Sequence, residues 1–240
     1  MPFLFFNTQY LIFMIPALLL ALFAQWKISA TYRKYSEVRN AQGLTGADVA
    51  RVLMRNEGLD YVGVEVIPGH LTDHYDPRTK TMRLSQGSSH EPSVAAMAVV
   101  AHELGHAQQD KQGYFWLQLR SGIVGVANIG SNFGIILVVI GMMLGAAAGR
   151  GGLGWGVAWL GVVLMAGAVV FSLVTLPVEL NASARASEML ARNGLVTAQE
   201  AQGVSSMLNA AALTYIAAAT QAVMQLLYFV TLLSGGNRRQ

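Results

Sequence analysis

Four apolar runs, at residues 3–24, 123–148, 155–176 and 210–233, constrain this chain more than any other feature. Each is long enough to cross a bilayer as a helix, and lipid offers no partner for a bare backbone amide or carbonyl, so a helix is the form such a run can take. Charged residues make up only 12% of the 240, about half the usual share of a soluble domain, because they are confined to the segments between the runs. The expected fold class is an α-helical membrane protein with four transmembrane helices and a small α+β cytoplasmic portion. Its divisions are a first transmembrane helix (1–25), a polar portion (26–120), a second and third helix (121–149 and 154–176), a polar segment (177–209) and a fourth helix (210–234).

The first run has no positive charge ahead of it and no convincing small-residue cleavage site, so it reads as a retained anchor rather than a signal peptide. Pro16 is expected to kink it. Lys27, Arg33 and Lys34 follow that run, and Arg120 precedes the second. Of the 16 lysines and arginines, only Arg150, Arg238 and Arg239 fall outside the two polar portions, which places both portions in the cytoplasm and the protein in the cell (inner) membrane as a multi-pass protein. A formal net charge of +3, spread thinly, gives no footprint for nucleic acid. The short connection 149–154 makes the second and third helices an antiparallel hairpin. Gly130 and Gly134, then Gly141, Gly145 and Gly149, recur at four-residue spacing and allow close backbone approach. Asn128, Ser131 and Asn132 are expected to bond between helices, with a wet cavity as the second reading, and Thr214, Gln221 and Gln225 to face the bundle.

The polar portion has ordinary soluble patterning. Thr45 to Asp48 resembles a helix start and Gly58 a stop. Residues 61–67 alternate as a strand, and residues 71–75 and 81–85 flank a turn at Asp76-Pro-Arg-Thr79, which predicts a small antiparallel sheet. An edge strand of that sheet could accept an extended peptide, or the hairpin could be structural only. His70, His74 and His90 read as surface or turn histidines rather than ligands. Pro92 suits the first turn of the next helix, Gly113 ends it, and Tyr114-Phe-Trp116 suits a membrane interface.

That next helix, residues 94–110, carries His102-Glu-Leu-Gly-His106. Four residues make a little over one turn, so both histidines project from one face and can share a metal, with Glu103 beside them to take a proton from an activated water. Two satisfied core histidines would be the plain alternative, but an ionisable trio in an Ala- and Val-rich helix is costly without compensation, which favours zinc. The chain has no cysteine, so His, Asp or Glu must supply the ligands. Glu179 is the first carboxylate after His106 and would complete a two-His, one-Glu set. It could equally be a helix-start glutamate interacting with the helix dipole. Glu188 and Glu200 are its rivals, though both look like helix-surface charges.

Together the runs Leu71-Thr-Asp-His-Tyr-Asp-Pro-Arg78, Arg83-Leu-Ser85, Ala101-His-Glu-Leu-Gly-His-Ala-Gln108 and Leu176-Pro-Val-Glu-Leu-Asn-Ala-Ser-Ala-Arg-Ala186 resemble the YugP-like family of membrane neutral zinc metallopeptidases over essentially the full length. The resemblance implies a zincin-like catalytic portion, Zn²⁺ held by His102, His106 and Glu179, and Glu103 as the catalytic carboxylate. A more distant likeness is to membrane gluzincins of the HtpX and CAAX-prenyl-protease type. Those usually carry Asp four residues after the ligand glutamate, where this chain has Ser183, whose hydroxyl could meet a ligand imidazole.

The expected activity is endopeptidase hydrolysis of membrane or membrane-proximal proteins, with Glu103 as general base. Arg185, His74 and Tyr75 are the candidates for stabilising the oxyanion, and Ser183 and Asn181 for supporting the ligands. An intramembrane site-2-type protease is one alternative, but the chain has no Leu-Asp-Gly motif. A non-catalytic zinc-containing membrane scaffold or holdase is another, and it would have no use for Glu103.

Overall fold

The computed structural model describes residues 7–148 and 152–235. The expected first-span residues 3–6, the connection carrying Gly149 and Arg150, and the tail carrying Arg238 and Arg239 lie outside them. Ten elements follow in order: α1 (Thr8–Ser36), α2 (Gly46–Glu57), β1 (Gly63–Ile67), β2 (His74–Asp76), β3 (Thr81–Ser85), α3 (Gln86–His90), α4 (Val94–Lys111), α5 (Phe115–Ala148), α6 (Leu153–Arg192) and α7 (Ala198–Ser234). Helices α1, α5, α6 and α7 are long and apolar enough to cross a membrane. All four outrun the apolar stretches that announced them. Lys and Arg are good helix formers, so a helix need not stop where apolar residues give way to polar ones. Pro16 lies inside α1 and Pro177 inside α6. Glu179 is therefore well within a helix, and its reading as a helix-start residue is corrected.

The chain forms two compact units, and each of the four long helices contributes residues to both. One unit takes the described parts of residues 1–23, 119–175 and 215–240. Its core gathers Val138, Ala158, Val162, Met165, Tyr228 and Phe229. Here α5 and α6 approach at glycines: a Cβ on Gly161 would stand 2.5 Å from the Gly134 carbonyl oxygen, and one on Gly141 would strike the Ala158 backbone. The expected close approach is present at Gly130, Gly134 and Gly141, and at Gly145 it is seen from the other side, where a Cβ on Gly154 would stand 2.4 Å from the Gly145 backbone nitrogen. The expected interhelical polar contacts are revised. Ser131 donates to the Ala127 carbonyl of its own helix at 2.9 Å, and Asn128, Ser131 and Asn132 are exposed. Gln221 is also exposed.

The other unit, residues 24–118 and 176–214, surrounds α4. Ser93 caps α4 by accepting from the Ala96 amide, and the helix is buried on most sides, as its Ala- and Val-rich start requires. Pro92 lies ahead of this cap, where its carbonyl accepts from the Asn40 amide at 2.9 Å, rather than in the first helical turn. Around α4 pack Val49 and Leu53 of α2, Met82 and Leu84 of β3, Met189 and Leu190 of α6, and Val204 and Met207 of α7. Helix α2 begins at Thr45 with a reciprocal capping box to Asp48 and ends at Gly58 with φ 63°, both as expected.

The antiparallel pair expected about the Asp76–Thr79 turn is present, but the third strand joins it in parallel. Its order is β1-β3-β2, with β1 parallel to β3 (Gly63 opposite Thr81, Ile67 opposite Ser85) and β2 antiparallel to β3 (Tyr75 opposite Met82). Residues 71–73 are not strand. Leu71 has φ 56°, and the Asp73 carboxylate accepts from the Ser85 amide at 2.7 Å, a side chain taking the place of a ladder bond. The turn after β2 is held by Asp76, which accepts from the Arg78 amide and the Thr79 hydroxyl.

Candidate metal centre

Helices α4 and α6 position the site, and a glycine sets how closely they meet. A Cβ on Gly105, between the two motif histidines, would stand 2.5 Å from the carbonyl oxygen of Ala182. Gly→Ala in an exposed helix normally gains about 1 kcal/mol. Here the added methyl meets rigid backbone, so Gly105→Ala is expected to cost about 1–3 kcal/mol instead and to lower zinc retention. Thermal melting and metal analysis check this, and a variant as stable as wild type would contradict the contact.

Across that contact the ligand-type atoms converge. Glu179 Oε2 lies 3.2 Å from His102 Nε2 and 3.5 Å from His106 Nε2, and one atom from each residue falls within 4.8 Å of the others. The two imidazole rings stand 4.8 Å apart at 86°. Tetrahedral zinc with ligand bonds of 2.0–2.2 Å sets its ligand atoms about 3.4 Å apart, so the two separations from Glu179 fit such an ion. Among the described residues this is the group that could hold a metal. Glu179 is 2% exposed, and a carboxylate that deep needs cationic or hydrogen-bonded company.

Glu103 is buried next to this cluster at 8% exposure. Burial pushes its carboxyl up to about 7. The neighbouring charges of Glu179 and Asp73 act in the same direction, while His102 and the Tyr75 backbone amide oppose them. A carboxyl poised near neutrality beside three ligand-type side chains suits proton transfer at ordinary pH.

The other sequence-derived candidates fall into distinct places. Ser183 Oγ lies 3.3 Å from His102 Nδ1, the imidazole contact expected of its hydroxyl. Asn181 and Arg185 lie behind the cluster: Arg185 Nε donates to Asn181 Oδ1 at 2.7 Å, and its Nη1 donates to Gln108 and Gln112. The Tyr75 hydroxyl is buried and donates to Asp110 at 2.7 Å. His74 is exposed on β2, with Nδ1 2.9 Å from the Thr72 carbonyl. His70 packs edge-on against Tyr32, and His90 Nδ1 meets the Gln86 carbonyl. Of the rival carboxylates, Glu188 is an exposed partner of Arg192. Glu200 is not the surface charge its sequence suggested. It is buried and caps α7, accepting from the Thr197 amide and hydroxyl and from the Ala41 amide.

Two residues at the site were not singled out in the sequence. Gln109 is fully buried, and its Oε1 lies 3.1 Å from His106 Nδ1. Its place three residues after His106, on the same helical face, was the available signal. Asp73 ties the segment ahead of β2 to Ser85 and adds its charge to the surroundings of Glu103.

Residues 10–234 match the protein family described as "Putative neutral zinc metallopeptidase". The chain belongs to this family. It is 41% identical over 222 residues to the "Putative membrane protease YugP" of Bacillus subtilis (strain 168), an alignment covering 92% of this chain and 95% of that protein. No solved structure matches the chain. Membership of a zinc metallopeptidase family implies zinc, and the cluster of two imidazoles and a carboxylate is of the kind that zinc takes. The four long apolar helices agree with a relative named as a membrane protease.

Proposed function

We propose that the protein is a membrane-anchored zinc metalloendopeptidase that hydrolyses peptide bonds of membrane or membrane-proximal proteins. The reading rests on one observation: two imidazole nitrogens and a carboxylate oxygen converge beside a buried glutamate whose pKa is raised to about 7. His102, His106 and Glu179 are the proposed ligands and Glu103 the general base. Zinc, when bound, supplies a Lewis acid that brings a water's pKa to about 7 and polarises the scissile carbonyl. Glu103 takes the proton from the attacking water and delivers it to the departing amine. Of the three oxyanion candidates, Arg185 is held by Asn181, the Tyr75 hydroxyl by Asp110 and His74 Nδ1 by the Thr72 carbonyl, so the role is assigned to none of them. The outer strand β2, whose Tyr75 amide lies against Glu103, is the proposed docking place for an extended substrate segment.

The polar portions are proposed to face the cytoplasm as a zincin-like catalytic part, with α1, α5, α6 and α7 spanning the cell membrane. Reporter fusions at Gln42 and Gln202 are expected to read cytoplasmic and one at the C-terminus external. Disagreement between the two internal fusions would break the four-span topology. A site-2-type protease would place the H-E-x-x-H helix in a span, whereas α4 is not among the helices long and apolar enough to cross a membrane. A zinc-bearing scaffold would have no need of a buried base beside the ligands. Incubating the purified protein with an unfolded membrane-protein substrate tests the proposal. New peptide termini, read by mass spectrometry and absent with Glu103→Gln, are expected. Binding without cleavage would favour the scaffold.

A further inference from the structure

The amide of Gln109 makes three contacts, and together they leave it one orientation. Its Nε2 donates to the Val178 carbonyl at 2.8 Å and to Asn181 Oδ1 at 2.9 Å, while Oε1 faces His106 Nδ1 at 3.1 Å. A carbonyl can only accept, so the amide nitrogen must lie on the Val178 side. The orientation of Asn181 is set one step further out, because Arg185 Nε donates to Oδ1 and a guanidinium has no acceptor. Each link from Arg185 inward thus has a fixed donor and a fixed acceptor. The last oxygen, on Gln109, is left facing His106, whose Nδ1 must then carry a proton.

We infer that Gln109, Asn181 and Arg185 form a hydrogen-bond relay that keeps His106 Nδ1 protonated and leaves its Nε2 lone pair for the metal position shared with Glu179. The relay donates from His106 through Gln109 to Asn181, and Arg185 closes it by also donating to Asn181. Gln109 is a positioning residue, and the inference builds on the proposed reading of His106 as a metal ligand. Both helices anchor the relay: Gln108 and Gln112 of α4 accept from Arg185 Nη1 at 2.9 and 2.7 Å, and the guanidinium lies 5.8 Å from the centre of the Tyr114 ring. His102 has a different arrangement. Its Nδ1 meets the Ser183 hydroxyl, which can donate or accept and so imposes no tautomer. The two imidazoles are therefore unequal, one locked and one adjustable. The lock is an amide, so it adds no second negative charge behind the ligands.

The test uses the full-length protein in detergent with ¹⁵N-labelled histidine. Wild type is expected to show a solvent-protected Nδ1–H on His106, whether metal-free or zinc-loaded. Gln109→Met keeps the side-chain length but removes the acceptor. It should lose that protection and bind zinc about 10–100-fold more weakly in chelator competition, the usual effect of removing a group that orients a ligand. Arg185→Met removes the donor that fixes Asn181 and should shift both readouts in the same direction but by less, since the Val178 carbonyl still holds the Gln109 amide. Arg185 is only half-buried, so this variant decides the matter even if Gln109→Met does not fold. Wild-type Nδ1–H protection and zinc affinity in Arg185→Met would overturn the relay. Because the proton signal is read without metal as well, a protein that takes no zinc would sink the metal reading and still leave the relay decided.

Discussion

Glu103→Gln is expected to lower peptide hydrolysis by about 10²–10⁴-fold while zinc and fold stay in place. The swap preserves side-chain volume at a buried position and removes the buried carboxylate that stands next to the ligand cluster without being assigned to it. It also removes a desolvated carboxyl, so the helix should tolerate it or gain stability. The same reasoning gives a pH dependence. Only the ionised form can take a proton, so hydrolysis falls as pH drops through the Glu103 pKa. In the surroundings described, that carboxyl titrates near 7, and the double positive charge of zinc beside it moves the acid limb below 7. Cleavage rate against pH, with zinc measured on each preparation, checks both statements. Near wild-type turnover in the variant would rule out Glu103 as the base.

The second large effect is expected at Glu179. Structural zinc sites bind with about 10–16 kcal/mol, roughly 2.5–4 kcal/mol for each of four ligand positions, so Glu179→Ala should weaken zinc binding by ~10²-fold or more. It should also leave the two imidazoles converging on nothing, since Glu179 Oε2 is the contact both share. Glu188→Ala removes only an exposed partner of Arg192 and should leave zinc unchanged. Metal content after dialysis against a weak chelator separates the two. Retention in Glu179→Ala with loss in Glu188→Ala would move the ligand assignment.

What was readable in the sequence was what is decided locally. The capping box at Thr45, the stops at Gly58 and Gly113, and the shared face of His102 and His106 all follow from residues a few positions apart. The apolar runs marked four helices, but their ends marked a change of solvent rather than of backbone, so α6 continues through Pro177 and carries Glu179 inside it. Sheet order was lost because β1 pairs with β3 across the intervening β2, a parallel pairing no short-range pattern encodes. Gln109 looked like one of several polar residues late in a helix. Its role exists only because Gly105 lets α6 come close enough for Val178 and Asn181 to fix its amide. Glu200 was misjudged for a related reason: its burial comes partly from Ala41, far away in sequence.

The most direct test of the zinc-peptidase account is reversible metal removal on one preparation of the full-length protein. Zinc content and cleavage of an unfolded membrane-protein substrate are followed before chelation, after it, and after zinc is restored. The expected result is about one zinc per chain at the start, loss of zinc and cleavage together, and return of both on adding zinc. Cleavage that continues undiminished in the zinc-free protein would contradict it.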